Sequence, residues 1–91
     1  MLVHYQAIVH GRVQGVGFRY FTQHEALKHN IKGTVQNLEN GSVKIDAEGS
    51  REDMSAFIQA VKKGPMFSKV TDVELHEQEE TKQYTSFSIV Y

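Results

Sequence analysis

The apolar residues change period at Ser50, and that change constrains the middle of the chain more than any other feature. On one side, Val43, Ile45 and Ala47 alternate with Lys44, Asp46 and Glu48, the period of two that turns one side of a strand toward a core. On the other, Met54, Phe57, Ile58 and Val61 recur at i, i+3, i+4 and i+7, the spacing of one helix face. Ser50 suits the N-cap, with Asp53 three residues on, and Gly64-Pro65 stops the run. Upstream, Gly33 to Leu38 leads into a Glu39-Asn40-Gly41 turn, and Asn-Gly between two such runs is a strong hairpin signal.

The flanks extend this pattern. Val3, Tyr5, Ala7 and Val9 alternate as in a strand with one buried face. From about Arg19 to His29 no glycine or proline interrupts a helix, whose stripe is Phe18, Thr22, Ala26 and His29, with Tyr20 and Leu27 pointing elsewhere and Asn30 ending it in a left-handed conformation. Val70, Val73 and Leu75 suggest a further strand, and Phe87, Ile89 and Tyr91 a last one. The order is that of an α+β sandwich, ferredoxin-like βαββαβ, with two helices on one face of an antiparallel sheet of four to five strands. No linker, repeat or low-complexity tract divides residues 1–91, which are expected to form one domain.

Composition narrows the function. Lysine and arginine number 10 against 11 acidic residues, without the basic excess of a chain that coats nucleic acid. There is no cysteine, hence no disulfide framework, thiolate nucleophile or cysteine-based zinc site. The N-terminal MLVHYQAIVHG is too short and too interrupted by polar residues for a membrane span or signal peptide. The five histidines are scattered without metal-ligand spacing. A cytoplasmic monomer is the expectation, with no membrane or nucleic-acid partner and no metal.

Residues Gly11 to Arg19 read GRVQGVGFR, three glycines and an arginine between a strand and a helix. Glycines let consecutive backbone N–H groups turn inward, and the start of the helix adds the positive end of its dipole, so the run has the makings of an anion cradle. Arg19 supplies a fixed charge and a planar fork matched to two phosphate oxygens. The run does not complete a dinucleotide fingerprint, because Tyr20 stands at the third glycine position.

GRVQGVGFR resembles the first characteristic pattern of the acylphosphatase family, G-x-V-Q-G-V-x-F/Y-R, at every specified position. The family's second pattern is met by Gly33, Val35, Asn37, Gly41, Val43 and Gly49, with Thr34 standing where an aromatic is usual. This resemblance implies hydrolysis of the carboxyl–phosphate anhydride of small-molecule acyl phosphates, releasing inorganic phosphate. It also implies that Gln14, Gly15, Val16, Gly17, Phe18 and Arg19 bind the phosphoryl group, while Asn37 orients the attacking water. No specified position of either motif is a histidine, serine or carboxylate, so the resemblance implies that the substrate's own phosphate takes the proton, with no metal and no organic cofactor. Restoring an aromatic at position 34 is expected to add apolar contact and stabilise the sheet.

The residues bear on two other function classes. A base-stacking nucleic-acid module would need aromatics on the central strands, and Val43 to Glu48 has none. A non-catalytic phosphate-binding or regulatory ferredoxin-like module is the alternative, since acylphosphatase-like modules also occur at the start of a hydrogenase maturation carbamoyltransferase; the presence of both Arg19 and Asn37 favours the enzyme.

Overall fold

A computed structural model covering Met1–Tyr91 gives the chain order β1 (Leu2–Arg12), α1 (Phe18–Lys28), β2 (Lys32–Asn37), β3 (Val43–Ser50), α2 (Arg51–Lys63), β4 (Lys69–Gln78) and β5 (Phe87–Val90). The strands lie in one sheet in the order β4-β1-β3-β2-β5. Val3, Tyr5, Ala7 and Val9 of β1 stand opposite Gly49, Ala47, Ile45 and Val43 of β3, so the apolar sets of the two central strands share a face. The two helices cover that face. The α2 stripe of Met54, Phe57, Ile58 and Val61 is buried, as are Phe18, Thr22 and Ala26 of α1. Tyr20 and Leu27 point out into solvent. One cluster of sixteen apolar residues forms the core.

Local signals set the element ends. The amide of Asp53 donates to Ser50 Oγ at 3.0 Å, capping α2, and Asn30 is left-handed (φ 58°) just beyond α1. The β2–β3 turn closes with Leu38 N–H donating to the Ser42 carbonyl at 2.9 Å. No helix is long and apolar enough to cross a membrane.

The sheet is mixed rather than wholly antiparallel. β1 pairs antiparallel with β3 and β4, and β2 with β3, but β5 runs parallel to β2, with Gly33 opposite Phe87 and Val35 opposite Ile89. Register explains this: β4 ends where Gln78 meets His4, the end of the sheet at which β1 and β2 both begin, since Glu48 faces His4 on one side and Lys32 on the other. Residues 79–86 cross the open face at that end. A strand launched there on the far edge must run in the direction of β2.

That crossing also buries polar residues that simple alternation places in solvent. His4, Asp46 and Glu48 are each under 5% exposed. Asp46 accepts from His4 Nε2, from Tyr84 Oη at 2.6 Å and from Lys82 Nζ at 3.1 Å, while Glu48 accepts from the amides of Lys82 and Tyr84. His4 Nδ1 donates to the Glu80 carbonyl at 2.7 Å. Because both ring nitrogens face acceptors, the geometry selects the imidazolium. Burial pushes the His4 pKa down, but the Glu80 carbonyl and Asp46 carboxylate outweigh it and raise it above the usual value. Burial likewise pushes Asp46 up, and the bonds from Tyr84, His4 and Lys82 bring it below the carboxylate range.

Candidate active site

The chain passes from β1 to α1 through residues 13–17, and the local sequence makes that passage a cup. The β1–β4 register shifts at His10/Gly11, a bulge that bends β1 just before the loop. Val13 is buried and anchors it. Gly15 and Gly17 are both left-handed, at φ 74° and 76°, yet a Cβ at either would meet nothing within 4 Å. Backbone conformation, rather than space, therefore calls for glycine there. Gly17 is the N-cap of α1, which has no side-chain cap and no acidic residue in its first turn. The leading N–H groups of the helix, which have no intrahelical acceptors, stay open to an anion at the positive end of the dipole.

Gly15, Gly17, Phe18, Arg19 and Asn37 line one hollow of about 150 Å³, with Val13 and Tyr20 completing its wall. Sites for drug-sized ligands run to roughly 300–1,000 Å³, so this hollow suits a small tetrahedral anion and leaves any attached group at the mouth. Its chemistry is one guanidinium, one amide, one phenol and backbone; no carboxylate or imidazole lines it.

Arg19 and Asn37 are held from different directions. The Arg19 guanidinium lies 4.8 Å from the centroid of the Tyr91 ring, a cation–π contact, and the Tyr91 hydroxyl lies 3.2 Å from that of Tyr20. That shared hydrogen bond raises the Tyr91 pKa above its usual value. Asn37, opposite Val43, ends β2 with its Oδ1 buried and without a protein hydrogen-bond partner. An orphaned buried acceptor costs about 1–3 kcal/mol, and this one belongs to the same hollow as Arg19.

Two residues of the sequence-predicted set turn elsewhere. Val16 packs against the core. Gln14 sends its side-chain amide away from the hollow to the carbonyls of Leu38 and Ser42, so only its backbone is available to the cradle. Tyr91 escaped the sequence reading as a site residue because its place beside Arg19 depends on β5 running parallel to β2. The signal for Tyr20 was its position off the buried stripe of α1, which is what puts it on the rim.

A family model for acylphosphatase matches residues 5–89. The chain belongs to the acylphosphatase family. An acylphosphatase of Bacillus licheniformis is 50% identical over 90 residues, covering 99% of this chain and 100% of that one. The crystal structure of acylphosphatase from Bacillus subtilis matches with a TM-score of 0.96 and 50% identity, covering 100% of both chains. Full-length HypF in its phosphate- and nucleotide-bound form contains a stretch that matches all of this chain at a TM-score of 0.93 and 38% identity, 12% of HypF. Thr34, the departure from the acylphosphatase pattern, sits on the open face of the sheet opposite Asp46, away from the hollow.

Proposed function

We propose a metal-free, substrate-assisted mechanism for the acyl phosphate hydrolysis carried out by this member of the acylphosphatase family. Arg19 and the N–H groups of the Gln14–Phe18 segment hold the non-bridging oxygens of the phosphoryl group. Asn37 Oδ1 accepts a hydrogen bond from a water and aims it at phosphorus, in line with the leaving carboxylate. Attack breaks the bond between phosphorus and the bridging oxygen, the water's proton passes to a phosphoryl oxygen of the substrate, and the carboxylate leaves without protonation. Positioning and electrostatics carry such a displacement, in which charge is spread over the phosphoryl oxygens. The observation that carries this reading is the buried, unpartnered Asn37 oxygen in the same hollow as the Arg19 guanidinium.

The hollow has room for the phosphoryl group and little more, so we assign the enzyme broad tolerance for small acyl groups. We further assign it to the cytoplasm as a monomer, with no membrane or nucleic-acid partner, on its near-neutral charge and its lack of a long apolar heptad. The non-catalytic phosphate-binding module is disfavoured by Asn37, which such a module would not need.

Removal of Arg19 tests the site. Arg19→Ala is expected to nearly abolish turnover of a simple acyl phosphate and to weaken inhibition by inorganic phosphate, because the fixed charge is lost from ground and transition states alike. Arg19→Lys is expected to fail too, since a point charge does not replace a bidentate fork. An Arg19→Ala protein that bound phosphate like the parent would remove Arg19 from the role of anchor.

A further inference from the structure

Gln14 immediately precedes the left-handed Gly15, and its side chain reaches across to the turn that follows Asn37. Its Nε2 donates to the Leu38 carbonyl and to the Ser42 carbonyl, each at 2.8 Å. A primary amide nitrogen has two hydrogens, and both are committed here. Each carbonyl already has a backbone partner, Gly41 N–H on Leu38 at 3.2 Å and Leu38 N–H on Ser42 at 2.9 Å. The turn is stiffened further by Asn40 Oδ1, which accepts from Ser42 N–H at 3.0 Å and Ser42 Oγ at 2.5 Å. The amide therefore does not build the turn; it straps the phosphate loop onto a turn already closed, next door to Asn37.

We infer that Gln14 is a positioning residue: it fixes the phosphate loop relative to Asn37, and so sets the distance and angle between the bound phosphorus and the water held on the Asn37 amide. The inference rests on the roles proposed above for the loop and for Asn37. Loop and hairpin come from separate parts of the chain, and an error of about 1 Å between the reacting groups can cost about a hundredfold in rate. Two directed bonds to one short turn supply that registration, and they do so without touching the substrate.

The test is a double-mutant cycle between positions 14 and 37, read by kcat and by the inhibition constant of inorganic phosphate. Gln14→Met keeps length and volume and removes both donors; it is expected to lower kcat by about ten- to a hundredfold and to leave phosphate inhibition nearly unchanged. In an Asn37→Ala background the same change is expected to cost less than about threefold, because the water it would align is no longer held. Gln14→Asn, which keeps the amide but cannot reach both carbonyls, is expected to behave like Gln14→Met. Full kcat in Gln14→Met, equal losses in the two backgrounds, or failure of both Gln14 variants to fold by circular dichroism would overturn the inference. An Asn37→Ala protein with parental kcat would instead sink the reading on which it rests.

Discussion

At the scale of single residues, the site is set by conformation as much as by chemistry. Gly17 sits at φ 76° with open space where a Cβ would lie, so Gly17→Ala carries a conformational penalty and no clash. The expected result is a loss of about 1–2 kcal/mol in folding stability, measured by urea unfolding, with the fold retained. Arg19, the glycines and Asn37 were legible in the sequence because their chemistry is written in residue type and spacing: left-handed backbone, fixed charge, neutral amide. The direction of the Gln14 side chain was not legible, since the spacing that places Gln14 beside the cradle says nothing of the carbonyls of a turn formed 24 residues later.

At the scale of elements, α2 and the β2–β3 hairpin followed directly from apolar period, cap and Asn-Gly turn, because each signal is local. The parallel pairing of β5 was not readable, because it depends on the end of the sheet at which the chain leaves β4. The same crossing reverses the expectation for position 34. Thr34 lies across from Asp46, and the hydroxyl of Tyr84, which Thr34 approaches, is bonded to that carboxylate. The space where an aromatic would pack is thus already used by the 79–86 segment. Thr34→Trp is therefore expected to lower stability by about 1–3 kcal/mol through overpacking. A raised melting temperature would show that the crossing can move aside.

At the scale of the whole molecule, the buried charges on the open face tie the last strand to the centre of the sheet and make stability depend on pH. The His4 pKa is raised on folding above its ordinary 6.5, so its contribution is fully present below that value and is lost as pH rises through the higher folded value. The Asp46 pKa is lowered below 3.8, so its contribution is present above that value and is lost as pH falls through the lower folded one. Unfolding free energy should therefore fall as pH rises above about 6.5, and His4→Gln, which cannot carry the charge, should flatten that fall. Equal slopes in the two proteins would remove His4 as its source. The network is remote in chemistry from the hollow, where loop and hairpin bring Arg19 and Asn37 together, and that meeting is the central claim. It is tested most directly by the kinetics of Asn37→Ala on a simple acyl phosphate, with inhibition by inorganic phosphate measured alongside. The expected result is a kcat lower by about two to three orders of magnitude, the loss on removing one preorganised polar group, with phosphate affinity nearly unchanged. A folded Asn37→Ala enzyme that kept more than about a tenth of the parental kcat would contradict the account.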